Sequence, residues 1–311
     1  QGVFDLVDIR GEVVIGEGIK DNAPGIFLGD KLGKWGAQDP VFNIALDPVD
    51  GTTNLSKGSP NAISVMAAAE LPQGSTQPVM RNIPSYYSHK IAYGPVVAEF
   101  LRREDPQANF LDAPLEETLP RMARILQKRI TDVVVLVLDR PRNQAFIDAI
   151  RRCGASLRTI GDGDITAAVA PSLPDSGIDL YVGIGGSPEG VLTATALRAL
   201  GGEIQLRMWF PNPEAKAREV RGVPEPEIQR IYRTRDIVTG DSAIFSATGI
   251  IESPLLPGVK LIGHKAITHT ILMRAKSQTV RYIRAVHDLE KKTIHLRSRG
   301  GVGKESKIGK G

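Results

Sequence analysis

The sequence contains a single cysteine, Cys153, among its 311 residues. One cysteine excludes an internal disulfide and a cysteine-based zinc site. No apolar run approaches the roughly 18 to 20 residues that a membrane-spanning helix needs. The opening stretch, QGVFDLVDIR, lacks the basic and apolar pattern of a secretion signal. These absences predict a protein of the reducing cytoplasm, or of the plastid stroma in a photosynthetic eukaryote, that has no membrane partner.

A basic surface interleaved with aromatic residues is also missing, although the formal net charge is +4. Seven Lys or Arg residues and two Glu residues lie in residues 290–311, so this segment carries a net charge of +5. The remainder of the chain is therefore close to neutral. We predict that residues 290–311 form a mobile, glycine-rich basic tail and that nucleic acid is not a partner.

The first third of the chain contains short apolar runs that end at glycine or proline. The run GEVVIGEG, residues 11–18, predicts a buried strand that enters a loop. Residues 41–46 predict a second strand, which should stop where Asp47 and Pro48 begin a turn. The pattern of residues 61–70 fits a strand or a helix, and the glycine-containing loop before it favours a strand.

The second half of the chain alternates strands with helices. TDVVVLVLD, residues 131–139, is typical of a parallel strand covered on both faces. Pro141 and Gly154 mark the start and the end of a following helix. A further strand, residues 178–185, precedes the helical stretch SPEGVLTATALRALGG. This alternation predicts a parallel sheet of βαβ units.

The chain as a whole therefore predicts an α/β fold with an α+β front half and a parallel βαβ second half. We expect a front subdomain of residues 1–129 and a second subdomain of residues 130–289. A helix over residues 114–130 should bridge them.

Carboxylates follow four of the predicted strands. In open α/β sheets, ligands gather at the carboxyl ends of the strands. The carboxylates found there are Glu17, Asp21, Asp47, Asp50, Asp162, Asp164 and Glu189. Like charges in one site raise each other's pKa, and divalent cations relieve this repulsion. Hard oxygen ligands favour Mg²⁺ or Mn²⁺, so the pattern predicts such a site.

The stretch DPVDGTT is the strongest part of this pattern. Asp47 followed by Pro48 is a common opening of a turn, which would explain Asp47 alone. The addition of Asp50, Gly51 and Thr52 favours metal binding, because a rigid turn can aim two carboxylates and a hydroxyl the same way.

Structural alternatives stay open for the other carboxylates. Glu17 lies between two glycines and would suit an exposed turn. Asp162 and Asp164 precede a helix that either could cap. Glu189 lies near the start of a helix that Ser187 would cap, where the helix dipole favours an acidic residue in any case.

Phosphate is the predicted ligand of two further stretches. Arg140 and Arg142 follow a parallel strand, where guanidinium groups contact phosphate readily, although two solvated charges would look the same. GIGGSPEG partly imitates a dinucleotide fingerprint, but Pro188 stands where that pattern needs a small residue. A helix start with free N–H groups suits a phosphate better than a nicotinamide cofactor. Cys153 and the histidines form no nucleophile–base pattern.

DPVDGTT resembles the signature of the metal-dependent, lithium-sensitive sugar and inositol phosphatases. The stretches VVIGEG, DNAP, NIPSYY, LDRPRNQ, IGDGDITAAV, YVGIGGSPEGV and IFSATGI follow one another in the order found in class II fructose-1,6-bisphosphatases. The resemblance covers residues 9–289. It implies a layered sugar-phosphatase fold, two Mg²⁺ or Mn²⁺ ions, a homo-oligomer (dimer or tetramer) and hydrolysis of the 1-phosphate of fructose 1,6-bisphosphate. The cyanobacterial type, which also accepts sedoheptulose 1,7-bisphosphate, extends the implied role from gluconeogenesis to the Calvin cycle.

The resemblance also implies roles for individual residues. The metal ligands would be Glu17, Asp47, Asp50 and Glu189. Asp21 would help to activate the water, and Thr52 would hold that water or the phosphate. The residues expected to contact the substrate are Asp50, Gly51, Thr52, Tyr87, Arg140, Pro141, Arg142, Asp162, Gly163, Asp164 and Gly186.

The sequence departs from the family pattern in three places. Ile19 stands where a second acidic residue is usual, and Asn22 replaces the Glu of DEAP. The family pattern includes a helical segment upstream of residue 1, with a further acidic ligand and a lysine, and without that segment one metal site would be incomplete. Two alternatives therefore stay open: an inositol-monophosphatase-like enzyme, and a catalytically silent sugar-phosphate binder.

Overall fold

Two mixed β-sheets separated by helices form the frame of the protein. The structure is a computed structural model, and it describes residues 4–16 and 26–291. Within these residues, no helix has the length and apolar composition that crossing a membrane requires. The predicted basic tail lies outside the described residues from position 292 onward.

The strands are β1 Arg10–Ile15, β2 Lys31–Leu32, β3 Val41–Asp50, β4 Ala62–Glu70, β5 Tyr87–Tyr93, β6 Val134–Leu138, β7 Ser156–Ile160, β8 Leu180–Gly186, β9 Glu203–Trp209, β10 Tyr232–Arg233, β11 Ile244–Ile251, β12 Lys260–Ile262, β13 Lys265–Arg274 and β14 Thr279–Asp288. The α-helices are α1 Thr52–Lys57, α2 Pro95–Glu104, α3 Leu115–Leu126, α4 Gln144–Cys153, α5 Asp164–Val169, α6 Ser187–Leu200, α7 Pro213–Glu219, α8 Glu225–Gln229 and α9 Thr234–Ile237. The strands predicted over residues 11–18 and 61–70 correspond to β1 and β4. The helix predicted over residues 114–130 corresponds to α3, which ends at Leu126, and its bridging role stays a prediction.

The first sheet has the order β12-β13-β11-β4-β3-β1-β2, and β14 pairs with β13. The expectation that β3 stops before Asp47 is wrong, because the strand continues to Asp50. Asp47 pairs with Val65 and Asp50 with Ile63, so β3 carries one extra residue in a bulge. Pro48 lies in this bulge, where the ladder is already interrupted and the missing N–H costs little. The turn comes at Gly51 instead, whose φ of 94° favours glycine.

The second sheet has the order β10-β9-β5-β8-β6-β7. The α/β class is confirmed, and β6 pairs in parallel with both β7 and β8 as expected. Strand β5, however, lies antiparallel between β8 and β9, so the sheet is mixed. Each sheet takes strands from both sides of residue 130, and the subdomain boundary at that position stays a prediction.

Helix α6 lies between the two sheets and contacts β3, β4, β8 and β9. Most of its residues are buried all round the helix, as expected for a helix covered on every side. Helices α2, α3 and α4 cover the other face of the second sheet with a separate apolar cluster. The resulting layers are sheet, helix, sheet and helix, and the loops at the start of α6 lie between the two sheets.

His89 on β5 gives the fold a dependence on pH. Its ring stacks on Phe146 with centroids 5.0 Å apart, and burial, followed by the nearby Arg207 guanidinium, lowers its pKa to about 4. The unfolded chain binds a proton near pH 6.5, so the stabilisation by neutral His89 is complete above that pH and is lost as the pH falls toward 4. We expect a loss of about 2–3 kcal/mol in the free energy of unfolding, allowing for partial solvent contact.

Urea unfolding of the parent protein and of His89→Gln between these pH values measures this loss. The variant should lose less stability on acidification than the parent. His264→Gln, at an exposed position, is the control and should follow the parent. Equal acid sensitivity of His89→Gln and the parent would contradict the prediction.

Candidate active site

A cavity of about 370 Å³ opens where β3 and β8 end and where α1 and α6 begin. The residues singled out in the sequence that line it are Asp47, Asp50, Gly51, Thr52, Tyr87, Asp162, Gly186 and Glu189. The structure therefore brings together the ends of strands that lie far apart in the chain. Glu17 and Asp21, the predicted ligand and the predicted water-activating residue, lie outside the described residues.

Strand β3 contributes two carboxylates to the cavity wall, those of Asp47 and Asp50. Asp50 is the more deeply buried of the two, with 5% of its surface exposed. Its Oδ2 accepts a hydrogen bond of 3.2 Å from the backbone N–H of Ile165. Burial raises the pKa of Asp50 well above its usual value, and the carboxylates of Asp47 and Glu189 raise it further. Asp47 Oδ1 accepts from the backbone N–H of Val49 at 3.0 Å. Two carboxylates thus face the cavity from one bulged strand end.

Glu189 enters from the first turn of α6. The sequence predicted Ser187 as the N-cap of this helix, but the N-cap is Gly186. The Ser187 hydroxyl instead contacts the hydroxyls of Ser85 and Ser88 at 2.9 and 2.6 Å. A Cβ on Gly186 would meet the Glu189 carboxylate, so a larger residue there would displace that carboxylate.

Glu189 is half-buried, but its Oε2 is shielded from solvent and has no hydrogen-bond partner among the described residues. Burial raises the pKa of Glu189 to about 7, the Lys90 ammonium opposes this rise, and the carboxylates of Asp164 and Asp47 add to it. A buried acceptor without a donor is costly, so this oxygen is suited to bind a cation.

The GDGD turn joins α1 to the second sheet. Neither aspartate caps α5, since the N-cap is Gly163 with φ of 93°. Asp162 Oδ2 instead accepts from the backbone N–H of Thr53 at 3.0 Å, and Asp162 lies 3.5 Å from the Arg140 guanidinium. Asn54 Nδ2 donates to the Asp162 carbonyl at 3.0 Å. Asp162 therefore fixes the start of α1, which carries Thr52, to the loop that follows β7.

Asp164 lies behind the cavity wall. Lys90 Nζ contacts its Oδ2 at 2.5 Å, and the Tyr181 hydroxyl donates to its Oδ1 at 2.5 Å. Sequence reasoning did not single out Lys90. A lysine within the apolar strand sequence YSHKIAY was the available signal.

Arg142 and Tyr87 form the rim beside β8. The guanidinium lies 4.6 Å from the centre of the Tyr87 ring, and Nε donates to the Ile184 carbonyl at 2.9 Å. Trp209 meets Tyr87 edge to face with ring centroids 6.3 Å apart. Trp209 was also missed in the sequence, where nothing around it differs from an ordinary strand end.

The donor chemistry of the cavity suits a divalent cation. The described residues contain no group of three or more His, Cys, Asp or Glu side chains placed to hold a metal ion. Asp47, Asp50 and Glu189 nevertheless line one cavity and supply only carboxylate oxygens, one of which is buried without a donor. Hard oxygen donors of this kind fit Mg²⁺ or Mn²⁺.

Comparison with known proteins identifies the family. A layered α/β fold with a carboxylate-lined cavity is typical of the metal-dependent sugar phosphatases. The family profile described as bacterial fructose-1,6-bisphosphatase, glpX-encoded, matches residues 1–287. The chain belongs to this family of phosphatases, which is metal-dependent.

Curated relatives agree with this assignment. Fructose-1,6-bisphosphatase class 2 of Haemophilus influenzae is 38% identical over 300 residues, which cover 93% of this chain and 85% of the relative. Fructose-1,6-bisphosphatase 1 class 2 of Escherichia coli K12 is 35% identical over 301 residues, with the same coverage of both chains.

Proposed function

We propose that the protein hydrolyses the 1-phosphate of fructose 1,6-bisphosphate with the help of two Mg²⁺ or Mn²⁺ ions, giving fructose 6-phosphate and inorganic phosphate. The family supplies the substrate, and the cavity shared by Asp47, Asp50 and Glu189 is the observation that supports the metal chemistry most strongly. Such ions lower the pKa of a bound water and neutralise charge on the leaving oxygen.

The residues of the chain hold and orient the reactants. Asp47, Asp50 and Glu189 would bind the cations, together with Glu17 from outside the described residues. The hydroxyl of Thr52 would orient the attacking water or the phosphate. Its place at the first position of α1 is fixed by the bond from Thr53 to Asp162. Proton removal from the water stays assigned to Asp21.

The substrate would extend from the carboxylates toward the rim of the cavity. Tyr87 lines this side, and Arg142 is already oriented by its bond to the Ile184 carbonyl. Arg140 lies beside Asp162 at 3.5 Å. Two guanidiniums, each beside a residue of the cavity lining, suit the second phosphate of a bisphosphate better than they suit a monophosphate. The homo-oligomer and the cytoplasmic location stay predictions.

Phosphate release tests the proposal. The purified protein is assayed with fructose 1,6-bisphosphate and Mn²⁺ or Mg²⁺, and fructose 6-phosphate is detected enzymatically to identify the bond cleaved. We expect equal amounts of phosphate and fructose 6-phosphate, and loss of the activity with a chelator. Inositol 1-phosphate and sedoheptulose 1,7-bisphosphate serve as comparison substrates.

Each alternative has its own outcome in this assay. Faster release from inositol 1-phosphate would support the inositol-monophosphatase-like enzyme. Binding of fructose 1,6-bisphosphate without phosphate release, with either metal, would support the silent binder and overturn the proposed activity.

A further inference from the structure

Lys90 and Asp164 form the one ion pair of the described residues in which both side chains are almost fully buried. The exposed fractions of the two side chains are 0% and 6%, and Nζ lies 2.5 Å from Oδ2. Burying two charges removes both from water, so such a pair is weak evidence for added stability. Its presence next to the cavity therefore calls for another explanation.

The pair fixes the Asp164 carboxylate in one orientation. Lys90 contacts one oxygen, and the buried Tyr181 hydroxyl donates to the other at 2.5 Å. Gly185 lies on the neighbouring strand β8, and a Cβ at this position would collide with the Asp164 carboxylate. The carboxylate therefore occupies the space that the missing side chain of Gly185 leaves. Asp164 is thus held on both oxygens by the protein itself and is not among the residues that line the cavity.

The turn that contains Asp164 is connected to the cavity lining on both sides of this residue. The backbone N–H of Ile165 donates to Asp50 Oδ2 at 3.2 Å, and Asp162 Oδ2 accepts from Thr53 at 3.0 Å. A shift of Asp164 would therefore displace both the Asp50 carboxylate and the start of α1. Lys90 also lies beside α6, since a Cβ on Gly190 would be 3.8 Å from its Nζ.

We propose that Lys90 and Asp164 are positioning residues for the phosphatase reaction. Lys90 holds Asp164, and Asp164 holds the 162–165 turn that sets the Asp50 carboxylate and Thr52. This inference rests on the proposed function. It differs from direct contact between Asp164 and the substrate, which the family resemblance implies.

A double-mutant cycle tests the proposal with Lys90→Met, Asp164→Asn and the double variant. The readouts are kcat and KM for fructose 1,6-bisphosphate, the melting temperature, and the Mn²⁺ affinity from calorimetry. Each single variant should lose about 100-fold in kcat, the effect expected of a displaced catalytic group, with little change in KM. Each should also melt on the order of 10 °C lower, because one buried charge stays unpaired.

The double variant separates positioning from contact. It removes both charges and keeps a side chain of the same shape at residue 164, so kcat should recover by about 10-fold over either single variant. A double variant whose loss equals the product of the two single losses, with a raised KM in Asp164→Asn, would place Asp164 on the substrate and overturn the proposal.

Lys128→Met is the matched control. Lys128 pairs with the largely buried Asp179 at 2.6 Å, outside the cavity lining. This variant should melt at a lower temperature with unchanged kcat. If Lys90→Met behaves in the same way when fully folded, the pair is only structural and the proposal fails.

Tyr181→Phe keeps the proposal testable if the charge variants do not fold. It removes one hydroxyl from Asp164 and should lower kcat by about 10-fold, and unchanged kcat and KM would overturn the proposal. Activity of the parent protein on fructose 1,6-bisphosphate tests the proposed function separately. If the parent prefers another ester, the Mn²⁺ affinity still tests the positioning role, since Lys90→Met should weaken this affinity by about 10-fold.

Discussion

Asp47→Asn is expected to lower kcat by at least about 10³-fold, because metal ions contribute several kcal/mol to such transition states. Asparagine keeps an oxygen that can accept from the Val49 N–H at 3.0 Å, so the bulge of β3 should be retained. What the substitution removes is the negative charge that faces Asp50 and Glu189 across the cavity. The measurement is phosphate release over a range of Mn²⁺ concentrations, with circular dichroism to confirm folding.

Asp39→Asn is the control for this substitution. Asp39 Oδ2 also accepts from a nearby backbone N–H, that of Gly36 at 2.7 Å, but it lies outside the cavity. Its kcat and metal dependence should match those of the parent. A near-normal rate of Asp47→Asn with unchanged metal dependence would remove Asp47 from the ligand set.

Much of the fold could be predicted because its local signals agree with its final environment. The apolar run that became β6 is covered on both faces, and α4 ends at Cys153 with Gly154 as its C-cap, where a φ of 74° favours glycine. Helix α3 forms in spite of Pro120 because its buried face, including Leu119 and Met122, packs into an apolar cluster. Periodicity reports such elements reliably since each is decided within a few neighbouring residues.

Pairing between distant strands was not available from local patterns. Nothing in YSHKIAY indicates that β5 would lie antiparallel between β8 and β9. The continuation of β3 past Asp47 was missed for a related reason. Pro48 favours a turn locally, but pairing with the antiparallel strand β4 continues β3 through the bulge to Asp50.

Some residues of the candidate site could likewise be predicted from local patterns, and others could not. Asp47, Asp50 and Glu189 could be singled out because their glycine and proline neighbours mark strand ends, and they do line one cavity. Lys90 and Trp209 could not, since their importance comes from what lies across the sheet. The metal ligands and substrate contacts themselves stay predictions until variants are measured.

The buried carboxylates also make the metal-free protein lose stability as the pH rises from acidic to neutral values. Glu189 has a pKa of about 7 in the folded protein against 4.5 in the unfolded chain, chiefly because it is buried. A raised pKa means that folding is favoured below the unfolded value and that this stability is lost as the pH rises through the folded value. Asp50 contributes in the same direction.

Glu189→Gln is therefore expected to flatten this dependence. In the presence of a chelator, the parent should lose about 3 kcal/mol in the free energy of unfolding between pH 4.5 and 7 because of Glu189. Glutamine cannot ionise, so the variant should be more stable than the parent above pH 7. Its stability should keep only the pH dependence that is due to Asp50. Urea unfolding at a series of pH values with and without Mn²⁺ measures both. Mn²⁺ should stabilise the parent more than the variant, and phosphate release by the variant should be nearly lost.

Glu203→Gln is the matched control, because Glu203 Oε1 accepts from the backbone N–H of Thr234 at 2.8 Å and lies away from the cavity. It should keep both the loss of stability between pH 4.5 and 7 and the gain in stability on adding Mn²⁺. A Glu189→Gln protein that is less stable than the parent above pH 7 without metal would contradict the prediction, since the buried carboxylate would then be compensated by the protein. The combination expected here, greater stability with lost activity, would mean that Glu189 is retained for the cation it binds and not for the fold.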